Sequence, residues 1–285
     1  MVLTQTGLID RIITNLGLDG AEHYGKFTPA EATPLTRDAG GAECIEDFNV
    51  AAVVGQLLYL SGHTRPDIAY AVNIVARYMF CPKRSHELAL KRIGKYLKAT
   101  RTKGLIITPS DNILDINAFP DADFAGLYGH EAPNDPACVK SRTGFVILAA
   151  NCPVMWKSTL QTKTALSTTE AEITALAHCC KELFPIMDLA KHLAAYYNLD
   201  PVKTTMNVTI HEDNAAALIL AKMLPPEHTP RSKFFHLETV WFREEIVKRC
   251  IELKKVVTTD QLGDMFTKGL SKVVFEYLRF KLCGW

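Results

Sequence analysis

Apolar residues recur at helical spacing near the start of the chain, with Leu8, Ile9, Ile12, Ile13 and Leu16 on one face, and predict a short helix over residues 7–18. A stretch rich in Pro, Thr and Gly follows over residues 26–41 and reads as a loop or linker. From Asp47 to Thr100 the period is helical throughout. It predicts helices over 50–61, 67–79 and 86–97, broken at Arg65-Pro66 and at Pro82 because proline lacks an N–H and restricts the residue before it. Three helices with short connections make a small helical unit.

After Gly104 the period changes to two. Residues 113–119, 144–150 and 153–158 predict successive strands, with a Gly-, Asp- and Pro-bearing connection between the first two over 121–142. A long helix then starts near Thr168 with Ser167 as its N-cap, its apolar stripe formed by Ile173, Leu176, Ala177, Cys180, Leu183, Phe184 and Met187. A strand over 206–211, a short helix after Asp213, a helix over 235–248, a strand over 251–258 and closing helices after Asp260 complete the chain. The order βββαβααβα predicts a mixed sheet with helices on its faces, and the change of period puts the boundary between the two units at residues 102–111. No internal repeat is present.

Composition narrows the class. A hydrophobic share of 48% in 285 residues supplies a globular core and argues against disorder. With 32 Lys plus Arg against 31 Asp plus Glu, no global field draws the chain onto nucleic acid, so any such binding must come from local patches. The eight cysteines form no C-x-x-C pair, which argues against a zinc site, and without a secretion signal a disulfide framework is not expected either. Apolar stretches fall far short of the ~20 residues of a bilayer span. A soluble, intracellular protein with free thiols is the expectation.

Acidic residues are common and usually solvated, so position has to single out the useful ones. Asp121 follows the first predicted strand directly, and Asp213 ends the fourth. Strand ends in open sheets converge on one rim, where sites form. Glu170 and Glu172 lie at the start of the long helix and Asp264 in the first turn of a late one, where carboxylates also occur simply because they favour helix N-termini. Glu170 and Glu172 are about 200° apart on a helix, each flanking the apolar stripe at a similar angle, and periodicity does not choose between them.

The residues themselves resemble a known family. Pro120-Asp121-Ala122-Asp123-Phe124-Ala125-Gly126, Ser141-Arg142-Thr143-Gly144-Phe145-Val146, Trp156-Lys157-Ser158, Leu166-Ser167-Thr168-Thr169-Glu170-Ala171-Glu172, Glu212-Asp213-Asn214 and Leu262-Gly263-Asp264-Met265-Phe266-Thr267-Lys268 resemble, in order and spacing, the ribonuclease H domain of copia-type LTR retrotransposon Pol polyproteins. Upstream, Gly55-Gln56-Leu57-Leu58-Tyr59-Leu60, Arg65-Pro66-Asp67-Ile68-Ala69-Tyr70-Ala71-Val72-Asn73 and Leu90-Lys91-Arg92-Ile93-Gly94-Lys95-Tyr96-Leu97-Lys98 resemble the end of the reverse transcriptase in the same polyproteins. The resemblance runs from about Leu3 to Trp285. It implies an α/β fold, an RNase H-like mixed five-stranded sheet flanked by helices over 106–285, preceded over 1–105 by a mostly helical connection or thumb segment of the reverse transcriptase.

Carried over residue by residue, the resemblance implies Asp121, Glu172, Asp213 and Asp264 as the catalytic carboxylates and the ligands of two divalent ions, Mg²⁺ or Mn²⁺. The choice of Glu172 rests on the run Glu172-Ile173-Thr174-Ala175-Leu176, which resembles the stretch carrying the helix carboxylate in ribonucleases H. Glu170 and Asp123 are held in reserve. Hard oxygen donors suit such ions, and two of them would serve hydrolysis of the RNA strand of an RNA–DNA hybrid. Lys140, Arg142, Lys157 and Lys163 are candidate backbone contacts. The implied partners are the hybrid and the missing fingers and palm of the reverse transcriptase. The implied location is cytoplasmic, within a virus-like particle, or nuclear.

Two departures from the pattern stand out. Val257-Thr258-Thr259 occupies the place where many cellular ribonucleases H carry a histidine, and Lys233 is followed by Phe234 and Phe235 where many relatives have Lys-His. The polymerase signature Tyr-x-Asp-Asp is absent from this chain, so no DNA synthesis is expected of it. The start at Met1 inside the reverse-transcriptase stretch suggests a truncated reading frame. The rival expectation is therefore a catalytically silent remnant that binds nucleic acid or a protein partner without cutting.

Overall fold

A computed structural model of the chain describes residues 1–20, 25–45, 48–199, 205–223 and 236–285, the side chains of 236–240 excepted. Its elements in chain order are β1 (Val2–Leu3), α1 (Thr6–Asn15), α2 (Val50–His63), α3 (Ala69–Ala76), α4 (Arg84–Ala99), β2 (Leu105–Ile106), β3 (Asp115–Asp123), β4 (Arg142–Ala149) and β5 (Cys152–Leu160), followed by α5 (Thr168–Tyr196), β6 (Asn207–Glu212), α6 (Ala215–Lys222), α7 (His236–Lys248), β7 (Glu252–Lys255), α8 (Asp264–Thr267) and α9 (Lys272–Cys283). They pack as two compact units. One comprises Met1–Ile107, Gly126–Val139 and Lys268–Trp285; the other comprises Thr108–Ala125 and Lys140–Thr267. Asp47 and the Lys233-Phe234-Phe235 departure lie outside the described residues.

The second unit is built on a five-stranded sheet of order β5-β4-β3-β6-β7, with β3, β4 and β5 antiparallel and β6 and β7 parallel to β3. This is the mixed sheet that the resemblance implied. In β3, Ile116, Ala118 and Pro120 are buried and alternate with partly exposed residues, as a half-covered strand requires. β4 is buried along almost its whole length, fitting its interior place. Ala150 and Asn151, with φ of 49° and 64°, join β4 to β5 in the doubly left-handed conformation that a two-residue hairpin favours. The register of β4 and β5 slips by one residue between Ile147 and Leu148, and Pro153 is accommodated there on the edge strand.

α5 covers this sheet. Ser167 caps it, accepting a hydrogen bond from the Glu170 N–H at 3.2 Å. Ile173, Leu176, Cys180, Leu183 and Met187 then form a continuous stripe against Ile116, Ala118, Phe145, Ile147 and Ile210. The predicted start, cap and stripe are those observed. At the end of the first predicted strand the structure differs: β3 runs through Pro120 to Asp123, so Asp121 lies within the strand and not after it. Proline ends pairing only on the side its missing N–H would serve, and β3 continues against β4 through Asp123 while its pairing with β6 stops at Ala118.

In the first unit Ile9, Ile12 and Ile13 form the buried face of α1. α3 is shorter than the predicted 67–79, because Pro66 opens a single 3-10 turn, Pro66–Ile68, before the α-helix begins. Around that turn lies a buried charge network. Arg65 donates through Nε and Nη2 to Asp67 at 2.9 and 2.8 Å and through Nη2 to Thr100 Oγ1 at 2.8 Å, while the Tyr96 hydroxyl donates to Asp67 at 2.6 Å. The guanidinium also lies over the rings of Tyr96 and Trp285, whose indole N–H donates to Gly104 O at 2.6 Å. No helix among the described residues is long and apolar enough to cross a membrane.

Removing one member of a buried ion pair strands the other. Asp67→Ala is expected to cost about 3–5 kcal/mol in chemical denaturation, and adding Arg65→Met to it is expected to recover part of that loss. An Asp67→Ala chain with unchanged denaturation would show that the pair contributes nothing.

Candidate metal centre

Past Ala118 and Ile210 the parallel strands β3 and β6 no longer pair. Their carboxyl ends are the place where open α/β sheets put their sites. Asp121 lies on the diverging part of β3, and Asp213 follows the last residue of β6 directly. Glu172 reaches the same place from the start of α5. One carboxylate oxygen from each of Asp121, Glu172 and Asp213 lies within 4.8 Å of the other two. Asp121 and Glu172 are buried and Asp213 is half-buried.

Asp264, the first residue of α8, is also buried but stands outside this tight group. It is held close by the glycine before it. A Cβ on Gly263 would fall 2.6 Å from the Asp121 Cβ and 2.9 Å from Phe119 O, so this approach of backbone to strand admits no side chain. Gly144, the β4 partner of Asp121, does the same for the far end of α8, where a Cβ would meet Thr267 Cγ2 at 2.6 Å and Phe266 Cβ at 2.7 Å. Docked in this way, the buried Thr267 hydroxyl donates to Asp121 Oδ2.

The structure separates the two glutamates that periodicity left open. Glu170 turns back and accepts the Leu166 N–H at 2.8 Å, tying the first turn to the residue before the Ser167 cap. Glu172 joins the carboxylate group instead. Asp123 sits at the last, half-buried position of β3, outside that group. Among the basic candidates, Arg142 is buried and donates to Ser158 Oγ at 3.2 Å, and Lys157 pairs with Glu182 at 3.6 Å. Lys140 is half-buried and Lys163 exposed.

Glu212 was passed over in the sequence, and no pattern singles it out beside Asp213. It is buried at the end of β6 and accepts the Asn214 N–H at 3.0 Å, while its Oε2 has no hydrogen-bond partner among the described residues. The Oε2 atom of Glu172 is in the same condition. Burial, followed by the charges of Asp121, Glu212 and Asp213, pushes the Glu172 carboxyl well above its ordinary range. Burial raises Glu212 as well. Crowded carboxylates with orphaned oxygens, no thiolate or imidazole among them, are the donor set of a hard divalent cation, so the residues present fit such an ion.

No family model matches the chain. Relatives do. It is 31% identical over 255 residues, 90% of its length, to the Retrovirus-related Pol polyprotein from transposon RE2 of Arabidopsis thaliana, and 29% identical over 280 residues, 96% of its length, to that from transposon TNT 1-94 of Nicotiana tabacum. The chain belongs to the copia-type retrotransposon Pol polyproteins. It spans 16% and 19% of the length of these two Pol polyproteins. Among solved structures, LC11-RNase H1, isolated from compost, is similar at 14% identity and a TM-score of 0.37, over 54% of the Pol segment and 92% of that chain.

A carboxyl whose pKa is higher in the folded than in the unfolded chain supports the fold below its ordinary value of 4.5, and that support is lost as pH rises. Without divalent ions, the melting temperature of the Pol segment is therefore expected to fall as pH rises from the ordinary 4.5 toward the raised value of about 10. Glu172→Gln is expected to flatten that slope and raise the melting temperature at the upper end, by about 2–4 °C for each kcal/mol relieved. Thermal melts across pH check this; a slope unchanged by the substitution would assign the buried charge to another group.

Proposed function

We propose that the chain acts as a ribonuclease H, an endonuclease that hydrolyses the RNA strand of RNA–DNA hybrids. The convergence of Asp121, Glu172 and Asp213 within 4.8 Å at the divergence of two parallel strands carries this reading. Asp264, buried beside Asp121 at the start of α8, completes the proposed set of ligands for two ions, Mg²⁺ or Mn²⁺. When bound, such ions supply charge stabilisation to an in-line displacement at phosphorus.

The chain's own residues supply the placement. Thr267 holds one oxygen of Asp121. The capped first turn of α5 fixes the height of Glu172, and Asn214, accepting the N–H groups of Ala216 and Ala217 at 3.0 Å, caps α6 directly after Asp213. In this reading residues 106–285 are the nuclease domain and residues 1–105 the end of the reverse transcriptase, working inside the cell with the fingers and palm of that enzyme as partners. Selectivity for a hybrid would come from groove shape and 2′-hydroxyl contacts.

The test is cleavage of a labelled RNA–DNA hybrid in Mg²⁺ by the wild-type chain and by Asp213→Asn. Cutting of the RNA strand by the wild type, falling to the buffer control in the variant, is expected. A folded wild type that binds the hybrid but never cuts it would overturn the nuclease and leave a silent binding module.

A further inference from the structure

Where β3 and β6 part, something must satisfy the backbone groups that a longer ladder would have paired. Gln261 stands there, fully buried, just before α8. Its Nε2 donates to Pro120 O at 2.9 Å and reaches His211 O at 3.4 Å, and its Oε1 accepts the Gly263 N–H at 3.2 Å. Two carbonyls demand a donor and one N–H demands an acceptor, so the neighbours dictate which way the carboxamide faces. Each of the three groups lies next to, or two residues from, a proposed ligand: Pro120 precedes Asp121, His211 lies two before Asp213, and Gly263 precedes Asp264.

We infer that Gln261 is the positioning residue of this centre, a single carboxamide that sets the spacing of three of its four carboxylate-bearing segments. The inference rests on the metal-centre reading above. Its three hydrogen bonds go to main-chain groups, and it acts through the peptide units that carry the carboxylates. A neutral amide suits the role, because it crosslinks strand, strand and helix without adding charge to a place already crowded with carboxylates. Phe119 and His211, one on each strand, stack at 4.4 Å with an interplanar angle of 8°. Packing between the strands therefore survives loss of the amide, while the spacing at their ends does not.

The experiment is a titration of the whole chain with Mn²⁺, read by the electron paramagnetic resonance signal of free ion and by the rise in melting temperature. Gln261→Met removes donor and acceptor at similar length; Gln261→Glu keeps the acceptor for Gly263 but turns an oxygen toward the two carbonyls. Both are expected to weaken ion binding by about 10–100-fold, the usual effect of losing a group that orients metal ligands. Met187→Ala, a core change on α5 about four turns from Glu172, controls for general destabilisation and is expected to keep the wild-type midpoint. Gln261→Asn, one methylene shorter, is expected to bind with intermediate affinity and keeps the test open if the Met variant does not fold. Wild-type midpoints in the Gln261 variants overturn the positioning role. A wild-type chain that binds no ion overturns the metal reading and this inference together.

Discussion

Carboxylates repel one another, and the cost of gathering them out of water is the constraint to which the sheet unit is fitted. Oxygens of Asp121, Glu172 and Asp213 stand within 4.8 Å, with Glu212 buried behind them. Such a group holds together only if the backbone beneath each member is fixed by something stronger than the repulsion. Here it is fixed by the β3–β4 ladder, by a capped helix packed along its length, and by two glycines that let α8 press directly on β3 and β4. These features stiffen the chain at points where the charges alone would loosen it.

The first unit solves a related problem differently. Arg65 and Asp67 are buried and oppositely charged, so attraction and hydrogen bonds offset their desolvation without any ion from outside. One network closes on itself and the other leaves carboxylate oxygens unpartnered. That difference in electrostatic completeness, more than burial itself, distinguishes a structural cluster from a chemical one.

Much of this was legible in the sequence, and the gaps have physical causes. The period of two, the stripe of α5 and the Ser167 cap located the sheet and its covering helix, because those signals are local. Periodicity left Glu170 and Glu172 open and the resemblance pointed to Glu172; in the structure Glu172 joins the carboxylate group while Glu170 accepts the Leu166 N–H, a detail of local geometry that spacing does not encode. Asp121 was expected beyond a strand ending at Phe119, yet β3 runs on through Pro120 because a proline blocks pairing on one edge only. Glu212 and Gln261 were invisible for the opposite reason. Nothing in their immediate neighbours marks a buried acid or a crosslinking amide, since their significance comes from residues on other strands. The interleaving of the compact units was hidden in the same way, as an amphipathic pattern in α9 says that a face is buried but not against what.

The carboxylates at positions 121, 172, 213 and 264 come from four segments spread over more than half the chain, and the pairing of β3 with β6 joins residues some ninety positions apart. Loops of that size close late, because the entropy of joining them must be met before the contacts reward it. A nascent chain can therefore form the β3–β5 meander and the α5 stripe while still lacking the assembled centre. The proposed centre waits for the last of its four segments to emerge, so growth of the polypeptide itself acts as a timer on whatever chemistry the site performs.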